Sequence, residues 1–314
     1  MNIKFTTVVP VYKNADSIPR LLSALAEIAD NLNQQMEVVF VVDGSPDRSF
    51  QLLQQALEEV NYPAQVLVHS RNFGSFAAVR TGLAAATGEY FCTMAADLQE
   101  PPELLPQVFE ELQSEACDVV IAVRETRDDG FFSMLTSKLF WWGYRRFVVP
   151  EMPRGGVDVF GCNRQFRDQL LQLEESHSSL VSLIFWLGFR RREVSYVRLK
   201  REEGISSWTF RKKLRYMSDS IFAFTDLPIR ALTLIGLLGT IVSAGLGCLV
   251  LVASLTGNIE VSGYAATMLT ILSLGSLNLL GLGLVGNYAW RAYENSKQRP
   301  QAIVSIKQQN NHYE

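Results

Sequence analysis

Three aspartates lie where their side chains could bind a ligand. Two of them closely follow a short apolar run, and the third lies within one. Asp43 follows EVVFVV, Asp97 follows EYFCTMAA, and Asp158 lies in GGVDVFG. Taken singly, each aspartate is explained as well by a turn or a helix cap. Three of them in such positions favour a site in which carboxylates bind a polar ligand.

The residues around Asp97 have the chemistry of a site for a hard cation. The carboxylate of Asp97 suits Mg²⁺ or Mn²⁺, and Gln99 offers an amide oxygen two residues on. Mg²⁺ often takes only one or two protein ligands and adds substrate phosphates and water. The position two before Asp97 holds Ala95 rather than a second carboxylate, so we expect weaker cation binding when no nucleotide is present.

A βαβα alternation must position these residues. The predicted strands cover 5–12, 37–43, 65–70, 89–95 and 117–123, and the predicted helices cover 17–32, 47–60 and 73–88, with a further helix after Pro101. Nearly continuous apolar strands indicate a mostly parallel sheet covered on both faces. In such sheets, ligands bind beyond the carboxyl ends of the strands. The turn Gly-Ser-Pro-Asp after Asp43 is tight enough to bring the backbone near a ligand, and the aspartate there could accept hydrogen bonds from a base or ribose.

Two long runs near the C-terminus, 231–255 and 261–290, contain no charged residue. About 20 apolar residues span a bilayer core, so the runs predict a transmembrane hairpin with spans of about 231–255 and 264–290. Two buried core helices are the alternative. Basic residues flank the pair and none lies in the loop TGNIE, which predicts both termini in the cytoplasm and a multi-pass location in the cytoplasmic (inner) membrane. Glycines in the runs would permit close helix packing, which leaves a homo-oligomer open.

Residues 190–215 carry ten Lys or Arg against three Glu. Such a run favours contact with anionic membrane lipids, although a solvated basic face is the alternative. Nucleic acid is a poor partner because the formal net charge of the chain is −3 and the run leads into an apolar segment. Residues 207–228 read as an interfacial helix; for 131–147, an interfacial helix and a helix packed on the sheet are equally good explanations.

Six motifs occur in a fixed order: VVPVYKNADSI, VVDGSPDRS, SRNFGSFAAVRTGLAAATGEY, MAADLQEPPELL, REEGISSW and GNYAWRAYENSKQRP. In this order they resemble family 2 glycosyltransferases with the GT-A fold. Within that family, the chain is similar to the polyprenyl-phosphate glycosyltransferases, namely dolichyl-phosphate mannose synthase and bacterial undecaprenyl-phosphate glucosyltransferases with two C-terminal membrane helices. The resemblance covers nearly the whole chain.

The resemblance implies a GT-A-like α/β fold whose mostly parallel sheet is flanked by helices and followed by interfacial helices and the hairpin. We expect a cytosolic glycosyltransferase domain over 1–200, an acceptor loop and interfacial helix over 201–230, the hairpin over 231–290 and a cytosolic tail over 291–314. The implied reaction is inverting transfer of a single hexose from a nucleotide-diphosphate sugar to polyprenyl (undecaprenyl) phosphate, with Mg²⁺ or Mn²⁺. Transfer to another membrane lipid, or an inactive scaffold that binds nucleotide sugar, are the alternatives.

Site residues follow on the positions that match the motifs. The nucleotide-sugar site would comprise Pro10, Tyr12, Asp43, Arg71, Asn72 and Asp97; the metal ligands Asp97 and Gln99; the catalytic residues Asp97 and Asp158; and the acceptor-phosphate site Arg201, Ser206 and Trp208. A helix-entry turn would explain Arg71 and Asn72 nearly as well. Asp158 would lie near the acceptor, where orienting the phosphate is as good a role as removing a proton.

The chain also departs from the family pattern. Ala95 stands where the family often has Asp, Phe160 where it often has Arg, and Ser207 where Lys is usual. The first motif has Lys13-Asn14 in place of a common Asn-Glu pair. These departures predict a divergent subgroup, and the sugar is the feature that we most expect to differ.

Overall fold

A computed structural model gives the fold of the chain. The structure describes residues 3–125, 145–146, 149–153, 156–175, 179–199, 221–222, 225, 227–256, 263–310 and 312. The strands are β1 (Phe5–Val11), β2 (Met36–Val42), β3 (Ala64–His69), β4 (Tyr90–Thr93), β5 (Val119–Arg124), β6 (Val159–Asn163), β7 (Arg191–Tyr196) and β8 (Val304–Gln309). The helices are α1 (Ile18–Asn31), α2 (Ser49–Ala56), α3 (Ser75–Ala85), α4 (Leu104–Gln113), α5 (Arg164–Gln172), α6 (Leu180–Trp186), α7 (Leu227–Leu255) and α8 (Tyr264–Ser296).

The strands form one mixed sheet. In the described parts of the chain its order is β7-β5-β6-β4-β1-β2-β3-β8. Parallel pairs join β1 to β2 and β4, β2 to β3, and β5 to β7. β6 runs antiparallel to β4 and β5, and β8 runs antiparallel to β3. The predicted α/β class is therefore confirmed, and the parallel arrangement holds for β1 to β4.

Helices cover both faces of the sheet, which explains why its central strands are apolar throughout. Every residue of β2 is buried. On one face, Leu21 of α1 and Phe109 of α4 belong to a buried cluster. On the other face, Leu83 of α3 and Phe166 of α5 belong to a second cluster. A strand with two buried faces has no position left for a polar alternation.

This topology brings several chain ends to one border of the sheet. Strands β1 to β5 and β7 all finish there, and the antiparallel strand β6 begins there. We call this border, with the residues that follow those strands and precede β6, the carboxyl edge. It is where a sheet of this kind binds ligands.

The two uncharged runs form helices α7 and α8. Crossing a bilayer core of about 30 Å requires one helix that is both long and apolar along its length. Among the residues that the structure describes, no helix satisfies both requirements. The predicted transmembrane hairpin, with spans of about 231–255 and 264–290, and the multi-pass location in the cytoplasmic membrane are therefore wrong.

The C-terminal segment joins the sheet. Within the residues predicted as a cytosolic tail, α8 continues to Ser296, and β8 pairs with β3 from Gln309 opposite Gln65 to Val304 opposite His69. The side-chain amide of Asn310 donates to the carbonyl of Tyr62 at 2.8 Å, and its oxygen accepts from the backbone N–H of Ala64 at 3.1 Å.

Parts of three predictions lie outside the described residues. These are the boundary at 200/201, most of the predicted helix over 131–147, and the part of the interfacial helix before residue 221.

Candidate active site

Asp47 joins the loop after β1 to the loop after β2 at the carboxyl edge. One carboxylate oxygen accepts from the backbone N–H of Ala15 at 3.0 Å. The other accepts from the Ser45 hydroxyl at 2.6 Å and from the N–H of Ser49 at 3.2 Å. Burial alone would raise the pKa of Asp47, but these hydrogen bonds outweigh it and lower that pKa. Both loops are thereby fixed by one ionised carboxylate.

Asp43 fixes the next loop, between β3 and α3. Its side chain is buried, and its oxygens accept from the backbone N–H groups of Phe73 and Gly74, each at 2.8 Å. His69 Nδ1 lies 2.8 Å from the same carboxylate, and His69 Nε2 lies 2.9 Å from the Thr81 hydroxyl. Burial would raise the pKa of Asp43, but the bonds from His69, Phe73 and Gly74 hold it below its ordinary value. The carboxylate is thus engaged by the protein itself, and a contact with the nucleotide stays a prediction.

The loops that carry Asp43 and Arg71 lie against each other. Gly44 has a φ of +56°, and a Cβ there would come within 2.3 Å of the carbonyl carbon of Arg71. Only glycine fits such an approach in that conformation. The guanidinium of Arg71 stacks 4.1 Å from the ring centre of Phe73, and the Asn72 amide donates to the carbonyl of Asp43 at 3.2 Å.

The predicted nucleotide-sugar residues lie on neighbouring chain segments of this edge. Pro10 lies near the end of β1, and Tyr12 directly follows that strand. The Tyr12 N–H donates to the side-chain oxygen of Asn14 at 3.0 Å. Arg71 and Asn72 follow β3 and are exposed to solvent. The structure therefore places Pro10 near the end of β1, and Tyr12, Asp43, Arg71 and Asn72 on the segments that follow β1, β2 and β3, all at the carboxyl edge.

The turn after β4 carries the acidic motif. Asp97 is partly buried, and one of its oxygens accepts weakly from the Gln99 N–H at 3.4 Å. Leu98 has a positive φ of 52°. The side-chain oxygen of Gln99 accepts from the Arg198 guanidinium, and its backbone carbonyl accepts from the Leu199 N–H at 2.9 Å. Gln99 therefore binds the segment after β7, and its amide oxygen is already engaged.

Glu100, next in the chain, is the unexpected member of this turn. It is only 3% exposed, and its Oε2 has no hydrogen-bond partner among the described residues. Burial first, and then the negative charges of Asp97 and Asp158, raise the pKa of Glu100 to about 7; the charge of Arg198 opposes this shift.

Asp158 precedes β6 and is held by two other strands. Its Oδ2 accepts from the Arg124 guanidinium at the end of β5 and from the Tyr196 hydroxyl at the end of β7, the latter at 3.0 Å. Burial, and then the charges of Asp158 and Glu100, raise the pKa of Tyr196. Its hydroxyl therefore keeps its proton and donates. Asp158 is oriented by these two contacts while part of its side chain remains exposed.

A divalent cation at this turn would need oxygen donors, and the predicted ligand Gln99 already uses its amide oxygen to accept from Arg198. Within the described ranges, no three His, Cys, Asp or Glu residues form a group that could hold a metal ion. Asp97 and Glu100 carry carboxylate oxygens, which are ligands of the kind that hard cations prefer, and such cations accept substrate phosphates as further ligands. Phe160, at the position where the family often has Arg, is 4% exposed and packs in the core.

The sequence did not predict several residues of this site, and some residues that it did predict lie outside the described part of the chain. Glu100, Arg124, Tyr196 and Arg198 were not predicted, although Glu100 directly follows Gln99, and Arg124 and Tyr196 end strands. The predicted acceptor-phosphate residues Arg201, Ser206 and Trp208, and the departure at Ser207, lie outside the described residues.

Comparisons with known proteins identify relatives of this chain. The model of the family "Glycosyl transferase family 2" matches residues 6–173, which include β1 to β6 and α5. The chain is 30% identical to an uncharacterized glycosyltransferase of Synechocystis sp., covering 97% of this chain and 96% of the relative. It is also 30% identical to a bactoprenol glucosyl transferase of Shigella phage SfV, covering 98% of this chain and all of the relative.

A solved structure is also similar. It is glucosyl-3-phosphoglycerate synthase from Mycobacterium tuberculosis, with 16% identity and a TM-score of 0.48, covering 70% of this chain and 78% of that chain. The family match spans more than half of the chain, and the relatives match nearly all of it. The chain therefore belongs to glycosyl transferase family 2.

Proposed function

We propose that this glycosyltransferase moves one glucosyl residue from a nucleotide-diphosphate glucose to polyprenyl phosphate, with inversion at the sugar carbon. One observation carries the proposal: the bactoprenol glucosyl transferase of Shigella phage SfV matches 98% of this chain at 30% identity. The geometry of the carboxyl edge supports it, because residues suited to a nucleotide and residues suited to a diphosphate lie on adjacent loops.

The acceptor needs little activation. The second pKa of a phosphate monoester is about 6, so its oxygen is already nucleophilic at neutral pH. That oxygen attacks C1 of the sugar as the bond from C1 to the diphosphate breaks. The main requirement is then to hold two anions in line. Asp158, fixed by Arg124 and Tyr196, is suited to orient the acceptor beside C1.

The leaving diphosphate needs positive charge. Asp97 would hold Mg²⁺ or Mn²⁺, which, when bound, would offset the charge that develops on the diphosphate. Arg71 stands exposed on the neighbouring loop and would contact the nucleotide. Arg198 would hold the acidic turn in place through Gln99.

The test offers purified protein in detergent several radiolabelled donors separately: UDP-glucose, UDP-galactose, UDP-N-acetylglucosamine and GDP-mannose. Undecaprenyl phosphate is the acceptor and undecaprenol the control, with Mn²⁺ or Mg²⁺ present. We expect label in the lipid phase from UDP-glucose alone, only with the phosphorylated acceptor.

The variant D97N should lower this transfer by about 100-fold or more, because it removes one charge-stabilising group from the transition state. D16N, which changes an exposed aspartate, is the matched control. Label from another donor would correct the sugar. No label from any donor, with UDP binding intact, would contradict the proposed reaction and favour another lipid acceptor or a chain without catalysis.

A further inference from the structure

The buried carboxylate of Glu100 is an anomaly that the proposed mechanism leaves unexplained. The side chain is 3% exposed, yet its Oε2 finds no donor in the described parts of the chain. Leaving a buried polar atom unpaired destabilises a fold by about 1 to 3 kcal/mol, and more for a charged group. Such a group needs a physical reason to be there.

The surroundings of Glu100 are short of positive charge. The negative charges of Asp97 and Asp158 both act on it, and Arg198 is the cation that acts against them. Arg198, however, donates its Nη2 to the Gln99 side chain, and its Nε has no partner in the described residues. Arg198 therefore holds the turn and leaves the unpaired oxygen of Glu100 without a contact.

The turn that carries Asp97 offers a cation few oxygen ligands besides the carboxylates of Asp97 and Glu100. Ala95, two residues before Asp97, has no side-chain donor. Gln99, the other expected ligand, has its amide oxygen engaged by Arg198. A cation at this turn would thus find Asp97 alone unless another carboxylate is near, and Glu100 is the buried carboxylate whose charge interacts with Asp97.

We propose that Glu100 is a ligand of the divalent cation beside Asp97, in place of the carboxylate that Ala95 lacks. This inference rests on the proposed function, since the diphosphate of the donor would supply the remaining oxygens. Two carboxylates and substrate phosphates are a common shell for Mg²⁺ in transferases. The cation would in turn satisfy the oxygen that the protein leaves unpaired.

The test measures Mn²⁺ binding directly, by electron paramagnetic resonance of free Mn²⁺ in the presence of saturating UDP. We expect E100Q to weaken Mn²⁺ binding by about 10- to 100-fold. E103Q is the matched control, because Glu103 is an exposed glutamate three residues on in the same motif. It should bind Mn²⁺ as the unmodified chain does. Thermal unfolding in EDTA checks that E100Q is folded.

A rescue variant makes the test independent of any folding defect. If Glu100 replaces the carboxylate missing at position 95, the double variant A95D/E100Q should recover most of the lost Mn²⁺ affinity. E100Q that binds Mn²⁺ within twofold of the unmodified chain would overturn the inference.

The inference and the proposed function fail in different ways. If the chain transfers glucose to undecaprenyl phosphate and E100Q binds Mn²⁺ as the unmodified chain does, the inference about Glu100 is wrong and the proposed function stands. An unmodified chain that binds no Mn²⁺ with UDP would also sink the inference, and the lipid-phase label would still decide the reaction.

Discussion

Two buried glutamates, at opposite ends of the central strands, are treated very differently by the fold. Glu37, at the start of β2, is fully buried. Its Oε1 accepts from the Thr6 hydroxyl at 2.7 Å and from the backbone N–H groups of Thr87 at 2.5 Å and Gly88 at 3.2 Å. Glu100, beyond the end of β4, is as deeply buried but has an oxygen with no partner among the described residues.

The comparison distinguishes a buried carboxylate that holds the fold together, Glu37, from one that we propose binds a ligand, Glu100. A buried carboxylate with several donors joins segments of the chain, and removing it exposes those donors. A buried carboxylate with one oxygen unpaired, such as Glu100, loses hydration at that oxygen without gaining a hydrogen bond, which is the observation behind the proposed cation contact. Variants of Glu37, Asp43 and Glu100 test whether the hydrogen bonds of a buried carboxylate predict its contribution to stability.

Glu37→Ala should have the largest effect on stability. It leaves the Thr6 hydroxyl and the backbone N–H of Thr87 without their acceptor in the core, while the N–H of Gly88 keeps the Thr6 oxygen at 3.2 Å. At about 1 to 3 kcal/mol for each unpaired donor, we expect a loss of about 2 to 6 kcal/mol in the free energy of unfolding. Urea unfolding followed by circular dichroism measures it. E37Q keeps the accepting oxygen and should lose less. A loss below about 1 kcal/mol for E37A would break the comparison.

Asp43→Asn tests a paired carboxylate at the carboxyl edge itself. The amide cannot accept from every donor that Asp43 binds, so we expect a loss of about 1 to 3 kcal/mol at neutral pH. The folded pKa of Asp43 lies below its ordinary value of 3.8. Its contribution is therefore complete above that value and disappears as the pH falls through the lower, folded pKa.

Urea unfolding of the unmodified chain and of D43N between about pH 7 and pH 2 measures this difference. The gap between them should narrow only below pH 3.8. A gap that is unchanged at the acid end would contradict the role assigned to the carboxylate charge. D16N, at an exposed aspartate, controls for general charge effects.

Glu100→Gln should have the smallest effect on stability and the opposite sign. Without a cation, the substitution removes a desolvated carboxylate that lacks a partner, so we expect stability to be unchanged or to rise by up to about 1 kcal/mol. Urea unfolding in EDTA at neutral pH measures it. A loss like that of E37A would show that Glu100 is a structural residue.

The local pattern was enough to place most of the first six elements. A strand predicted over 37–43 is found at Met36–Val42, and a helix predicted over 17–32 at Ile18–Asn31. The helix has apolar residues at helical spacing because it buries one face, and the strand is a short continuous apolar run because it buries both faces. The three aspartates that the sequence singled out all lie at the carboxyl edge.

Pairing across long distances could not be read from the same pattern. The antiparallel direction of β6, the pairing of β8 with β3 and the contact of Gln99 with Arg198 depend on segments far apart in the chain. The apolar composition of α7 and α8 likewise did not predict correctly whether these helices span a membrane. Whether a carboxylate is saturated, as Asp43 is, or unpaired, as Glu100 is, depends on neighbours that only the folded chain supplies.

The pairing of β8 with β3 has a consequence for the order of synthesis. β3 leaves the ribosome more than 230 residues before β8 can reach it. Until then, its outer backbone groups form an unprotected edge that another nascent chain could extend, and such edges promote aggregation. Strand β8, whose exposed side chains include Lys307, covers that edge once it pairs with β3. Synthesis of residues 304–309 is thus the step that lets β8 cover the edge of β3.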